Sequence, residues 1–255
     1  MGKALRMGDL TREEVERLAP HATVVLPTAS TEQHGPHLPL NTDALIGEAI
    51  ALRAAELASE QVPVVVGPVL GIGVSGHHLF SCALSVRSST YLAVLNDLAD
   101  SLVASGFKRL FILNSHGGND ECVKLLVREV VLRHEVSVGA GSYWDVAASA
   151  IRDAGVDRIG RFPGHSGGFE TSLMMALAPE LVRKGRLPVT DPHPPAIFAR
   201  RIAEGLMVQS HGEWARIGGY TDAPVNASSE AGRILLEAIC NAVAGAIVAF
   251  HRACG

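Results

Sequence analysis

The sequence predicts an α/β fold in which helices cover both faces of a largely parallel sheet. Strand-like and helix-like segments alternate between residues 22 and 142, and such alternation is typical of parallel sheets with helical crossovers. The chain has 255 residues, of which 47% are hydrophobic, so it is long enough to bury a sizeable core. We expect one domain that spans residues 1–255.

The predicted elements follow from local hydrophobic patterns. Residues 22–26 form a short apolar run that predicts a buried strand, and residues 44–60 are rich in Ala, Leu and Ile, which favours a helix. The same reasoning gives, in chain order, strand 62–67, helix 89–105, strand 109–113, helix 121–134 and strand 136–142.

The last third of the chain breaks this alternation. Residues 186–226 are rich in Pro, Gly and His, which predicts a long surface excursion with a short helix near residues 197–206. Residues 230–250 have the pattern of an amphipathic helix, and Ser228 or Ser229 is positioned to cap it. We expect this helix to close the fold.

The most informative segment is Ser30–Asp43, which contains two carboxylates and two imidazoles between two apolar elements. If the backbone is extended, the i, i+2 spacing of Glu32 and His34 directs both side chains to one side. Asp43 falls in the first turn of the following helix, whose positive end favours an ionised carboxylate. These three side chains could converge on a metal ion, and burying them for a purely structural purpose would be costly.

Two further polar segments follow the same pattern. Asn114–Asp120 comes directly after a predicted strand and contains His116, and Gly164–Ser172 leads into a helix-like segment and contains His165 and Glu170. In open α/β sheets, ligands bind at the carboxyl ends of the strands. A lone histidine at a strand end is usually a hydrogen-bonded turn residue, so the interpretation as a site depends on all three segments together.

These segments resemble the signature motifs of the creatininase family of creatinine amidohydrolases and their relatives. The first motif reads STEQHGPHLPL from residue 30 with Thr42-Asp43 after it, the second reads NSHGGN from residue 114, and the third reads HSGGFETS from residue 165. The resemblance covers about residues 20–240. It implies a two-metal hydrolase of cyclic or linear amides on a three-layer α/β/α fold that often assembles as a hexamer.

The resemblance also implies two divalent metal ions per chain, which share Asp43 as a bridging ligand. It assigns one ion to Glu32, Asp43 and His116, and the other to His34 and Asp43. Carboxylate oxygens and imidazole nitrogens suit zinc, manganese or ferrous iron. Two such ions lower the pKa of a bound water and polarise a carbonyl group.

The second metal site departs from the pattern of creatinine-hydrolysing members, which carry a glutamate where this chain has Gly118. Glu170 is the carboxylate best placed to replace it. The departure favours an amide other than creatinine, such as a formamide or a peptide-like bond. The alternatives are hydrolysis of a lactone, an imide or a formamide by the same metal site, and a non-catalytic binding protein that retains the metal.

His165 is the candidate for proton transfer to the leaving nitrogen, because an imidazole of near-neutral pKa suits that step. Its alternative role is to cap a helix or to support a ligand. Glu170 is the second candidate catalytic residue. His37 could transfer a proton or support His34, and the supporting role is favoured.

Candidate substrate-binding residues border these motifs. Residues 71–76 match the glycine pattern of a dinucleotide-binding loop, but no helix follows them, so we expect a loop beside the pocket with Ser75 or His78 in contact with substrate. Trp144 and Trp214 are candidate walls for a planar amide, with simple packing as the alternative for each.

Composition argues against several other functions. The formal net charge of −4 and the lack of a basic run argue against a nucleic-acid partner. The four cysteines have no metal-site or disulfide spacing. The first residues lack the apolar core of a signal peptide, and no apolar run approaches ~18 residues, which argues against secretion and membrane spanning. We expect a cytoplasmic homo-oligomer that acts on a small-molecule amide.

Overall fold

A parallel sheet between two layers of helices forms the centre of the molecule. The computed structural model describes residues 5–197, 202–203 and 206–254. The strands within these residues are β1 (Leu5–Arg6), β2 (Thr23–Thr28), β3 (Val64–Val66), β4 (Arg109–Asn114) and β5 (Ser137–Ser142). Their order across the sheet is β1-β3-β2-β4-β5, and each neighbouring pair is parallel. The prediction of a parallel α/β fold is confirmed.

Helices cover both faces of this sheet. Those of the described residues are α1 (Arg12–Leu18), α2 (Thr42–Ala58), α3 (Ser88–Ala104), α4 (Asp120–Arg133), α5 (Tyr143–Val146), α6 (Ala148–Asp153), α7 (Gly168–Leu177), α8 (Glu213–Arg216) and α9 (Ser229–Ala253). One apolar cluster joins the sheet to α2, α7 and α9, and a second joins it to α3 and α4. Consecutive strand residues Val24 and Val25 belong to opposite clusters, because side chains alternate along a strand.

Several elements differ from the prediction. β1 was not expected, because it has two exposed residues and no apolar pattern. The short helices α5, α6 and α8 were also missed, since four to six residues are too few for a helical period to be read. The helix expected near residues 197–206 falls largely on residues outside the described ranges.

The closing helix α9 begins and ends close to the predicted bounds. Ser228 is its N-cap, and the Ser228 side chain accepts a hydrogen bond from the backbone N–H of Ala231 at 3.1 Å. By length and composition α9 could span a membrane, although Glu237 and Asn241 interrupt its apolar run in the sequence. In the structure, one face of α9 is buried against α2 and α7 through residues such as Leu235, Ile239 and Val243.

Candidate metal centre

The candidate site lies at the carboxyl ends of the neighbouring strands β2 and β4. The two strands end in register at Thr28 and Asn114, whose side chains form a hydrogen bond of 3.1 Å. Asn114 Nδ2 then donates to the carbonyl of His116 at 2.7 Å. This pairing brings the polar segment after β4 alongside the polar segment after β2, as the sheet topology predicts.

The five side chains expected as metal ligands are brought together, and each is at most 8% exposed. Asp43 lies between two imidazoles: its Oδ1 is 3.0 Å from Nε2 of His34, and its Oδ2 is 3.0 Å from Nδ1 of His116. Oε1 of Glu32 is 3.3 Å from Nδ1 of His116. Oε2 of Glu170, from the first turn of α7, is 3.8 Å from Nε2 of His34.

Contacts with backbone carbonyls determine which nitrogen of each imidazole carries the lone pair that faces the carboxylates. Nδ1 of His34 is 3.1 Å from the carbonyl of Glu32, and Nε2 of His116 is 3.1 Å from the carbonyl of Val74. A carbonyl only accepts, so these nitrogens carry the proton in a neutral ring. The opposite nitrogens therefore present lone pairs to the oxygens of Asp43, a contact that requires a proton or a metal ion between them.

The pKa values of the histidines also show that the carboxylates of the site favour a positive charge beside them. Burial by itself would lower the pKa of His34, but the carboxylates of Asp43, Glu170 and Glu32 outweigh it and raise the pKa to about 10. The pKa of His116 is also held well above its ordinary value, by Glu32 and Asp43 against the effect of burial. Burial raises the pKa of Glu170 to about 7, although the charge of His34 opposes this shift.

Several buried polar atoms of the site lack a hydrogen-bond partner among the described residues. They include both carboxylate oxygens of Glu32, Oδ2 of Asp43 and Nε2 of His78. Burial of an unpaired carboxylate is expensive, whereas a divalent cation would satisfy the oxygens of Glu32 and Asp43 at once. The nitrogen and oxygen donors suit zinc, manganese or ferrous iron, so the residues present fit a metal centre.

Three overlapping ligand groups are present in this cluster, each with one donor atom per residue and all donor atoms within 4.8 Å of one another. They are Glu32, His34 and His165; Glu32, His77 and His116; and His34, Asp43 and Glu170. The third group contains the predicted replacement ligand Glu170. Asp120 is turned away from the cluster, since its carboxylate binds Lys124 and Ser142.

His165 lies beside the cluster with one nitrogen free to accept a proton. Its Nε2 is 2.9 Å from the carbonyl of Gln33, so its Nδ1 carries the lone pair and lies 3.7 Å from Oε1 of Glu32. Burial, reinforced by His34 and His78, holds the pKa of His165 well below its ordinary value. The ring is therefore neutral near pH 7, and its pKa lies below the near-neutral value expected from the sequence because burial disfavours the charged ring.

His78 is oriented by Gln33, a residue that the sequence analysis did not single out. The Gln33 amide donates to Nδ1 of His78 at 2.8 Å and to the carbonyl of Gly219 at 2.9 Å, while its oxygen accepts from the backbone of Gly35. Nε2–H of His78 then points to Oε1 of Glu32 at 3.4 Å. A glutamine between two ligand residues was the available signal for this role.

The other predicted residues occupy different places. The Ser75 hydroxyl lies 3.2 Å from Nε2 of His116, and so supports that ring. His37 is tied to α7 through Thr171 Oγ1 at 2.8 Å. The ring neighbour of Trp144 among the described residues is Tyr143, and Trp144 packs against the apolar cluster of α2, α7 and α9.

Trp214 of α8 packs against histidine rings beside the cluster. Its ring lies 4.6 Å from the ring of His78 and 5.3 Å from that of His165, both edge-on. The ring of His77 is 5.4 Å away. His77 was not among the predicted site residues, although the His77-His78 pair was visible in the sequence.

Comparison with known proteins places these motifs in one family. The family model described as creatinine amidohydrolase matches residues 8–247. The creatinine amidohydrolase of Pseudomonas putida is 31% identical over 281 aligned residues, which cover 97% of this chain and 97% of that protein. A mycofactocin precursor peptide peptidase from Mycobacterium ulcerans is 33% identical over 72% of this chain and 69% of its own length.

A solved manganese form of creatininase has the same fold. It superposes with a TM-score of 0.76 at 30% identity and covers 96% of this chain and 98% of its own. The family match spans nearly the whole chain, and the motifs that carry it contain the clustered carboxylates and imidazoles. The chain belongs to the creatininase family.

Proposed function

We propose that this protein is a metal-dependent amidohydrolase that uses two divalent ions per chain to cleave a C–N amide bond. The observation that carries the proposal is the pair of imidazole lone pairs that face carboxylate oxygens in a buried cluster. Glu32, Asp43 and His116 would hold one ion, and His34, Asp43 and Glu170 would hold the other. Zinc, manganese and ferrous iron all fit this donor set.

The metals, when bound, supply a water of lowered pKa and a Lewis acid for the scissile carbonyl. The chain supplies the proton transfers. Nδ1 of His165 faces the cluster and accepts a proton, and the resulting imidazolium donates it to the leaving nitrogen. The carbonyl of Gln33 accepts from Nε2 of His165 and so holds the ring in this orientation.

His78 and Trp214 shape the approach of the substrate. Nε2–H of His78 is a donor without an acceptor closer than 3.4 Å among the described residues, and it is available to a substrate carbonyl. Trp214 packs edge-on beside His78 and His165, where its ring would exclude bulk water from the reacting atoms. Ser75 supports His116 through its hydroxyl, 3.2 Å from Nε2 of that ring.

The substrate is an amide other than creatinine, such as a formamide or a peptide-like bond. Two observations support this choice. By the resemblance of the second motif, Gly118 stands at the place where creatinine-hydrolysing members carry a glutamate, and it provides no side chain there. Relatives named as peptidases also match two thirds or more of the chain at 33% identity. The homo-oligomeric state, with a hexamer implied by resemblance, and the cytoplasmic location are further parts of this proposal.

The test is an activity screen of metal-loaded protein against creatinine, formamides and short peptides. We expect hydrolysis of a non-creatinine amide that chelation abolishes and that zinc, manganese or ferrous iron restores. Asp43→Ala provides the matched control, because it removes the ligand shared by both ions. Turnover that survives both chelation and Asp43→Ala would contradict the proposal.

A further inference from the structure

The loop Gly73–His78 packs directly on the backbone of Gly118. A Cβ atom at Gly118 would lie 2.0 Å from the carbonyl oxygen of Val74 and 3.2 Å from Cε1 of His77, so no side chain fits there while the loop keeps its position. Oδ1 of Asn119 accepts a hydrogen bond from the backbone N–H of Val74 at 2.9 Å and fixes the loop. The missing side chain at Gly118 is what allows this loop to reach the cluster.

The loop carries an imidazole into the space beside Gly118. The ring of His77 is parallel to the ring of His116 within 1°, with the centroids 5.9 Å apart. His77, His116 and Glu32 each offer a donor atom, and the three atoms lie within 4.8 Å of one another. Both oxygens of Glu32 lack hydrogen bonds among the described residues. The ring nitrogens of His77 also make no hydrogen bond to any residue that the structure describes.

His77 also faces outward, which makes its position adjustable. It is half-buried and borders an open cavity of about 470 Å³ whose other walls include Phe80, His211 and Trp214. A ring at such an edge can move by the small distance that ligation requires without disturbing the core. The buried ligands His34 and His116 have no such freedom, because backbone carbonyls hold them.

We propose that His77 is an additional protein ligand of the ion held by Glu32, Asp43 and His116. The proposal rests on the proposed two-metal centre and concerns a residue outside the expected ligand set. With His77, this ion has four protein ligands, the number found in closed zinc sites, whereas the ion of His34, Asp43 and Glu170 has three and keeps an open position. The centre would therefore be asymmetric, and the residues of the second site, His34, Asp43 and Glu170, would leave room for substrate beside them.

Cobalt(II) is a suitable probe, because its visible absorption reports ligand number and type while chelator competition reports affinity. We compare the parent with His77→Ala, with the size-conserving His77→Gln, and with His211→Ala. His211 is an exposed histidine of the same cavity that belongs to none of the three ligand groups. Circular dichroism establishes that each variant is folded, and His77→Gln decides the question if His77→Ala does not fold.

We expect both His77 variants to bind one of the two cobalt ions at least ~10-fold more weakly, since loss of even an outer-shell partner costs that much. Their visible spectra should change, whereas His211→Ala should match the parent. If the parent binds two ions and both His77 variants equal it in affinity and spectrum, the inference is overturned and the metal centre stands. If the parent binds no cobalt, the proposed function itself fails, and this inference with it.

Discussion

Lowering the pH should weaken metal binding, because a metal ion must displace protons from the imidazoles of the site. In the metal-free protein the carboxylates outweigh burial and raise the pKa of His34 to about 10. Near pH 7, about three units below this pKa, the proton on His34 reduces the apparent metal affinity by ~10³-fold relative to the deprotonated site. The effect is about tenfold per pH unit for each such proton. The metal-free state binds more protons, so affinity falls as the pH falls.

The assay is isothermal titration calorimetry in two buffers of different ionisation enthalpy, at about pH 6 and about pH 8, where proton release accompanies binding. We expect at least one proton released per ion held by His34, and one more from His116 for the other ion. His134→Ala is the control. That surface imidazole lies outside the site and pairs with Asp100, whose Oδ1 is 2.8 Å from Nε2 of His134. Binding that is independent of pH and releases no proton would refute the assignment of these lone pairs to the metals.

Four substitutions test the roles of individual groups. Asp43→Ala should abolish binding of both ions and all turnover, whereas His165→Ala should spare the ions and lower kcat by ~10²–10⁴-fold, the range for a general acid or base; equal metal loss in the two variants would make His165 a ligand or its support. Glu170→Gln should weaken only the ion of His34 and Asp43, which a two-site metal titration measures; unchanged binding with undiminished hydrolysis would contradict this role. Gly118→Ala should destabilise the fold by ~1–3 kcal/mol through overpacking against the loop of Val74, and an unchanged thermal midpoint would contradict the close contact.

The parallel sheet and the gathering of the ligands could be predicted because they depend on local signals. Each strand of the site is an apolar run that ends in a polar motif, and parallel strands place such ends at one edge. Glu32, His34 and Asp43 are close in sequence, so their meeting requires only a strand, a turn and the start of a helix. The family prediction is confirmed by the match over residues 8–247.

A loop beside the pocket was expected from the sequence, but the contact that holds the loop Gly73–His78 in place could not be predicted in the same way. Its position depends on a contact with Gly118, which lies more than forty residues away from Val74 in the sequence. The contact is possible only because Gly118 has no side chain. Trp214 comes from the segment 186–226, in which Pro and Gly interrupt the hydrophobic periodicity that would otherwise predict secondary structure. Trp144 has an aromatic ring that suits a pocket wall, but only the fold shows that this ring packs against the apolar cluster of α2, α7 and α9.

The measurement that tests the two-metal centre most directly is a count of bound ions. Purified protein is stripped by chelation, reloaded with manganese or zinc, and examined by elemental analysis and by anomalous diffraction. We expect two ions per chain that share Asp43, one beside Glu32 and His116 and one beside His34 and Glu170. No more than one ion after remetallation, with a single anomalous peak between Glu32 and His34, would contradict it.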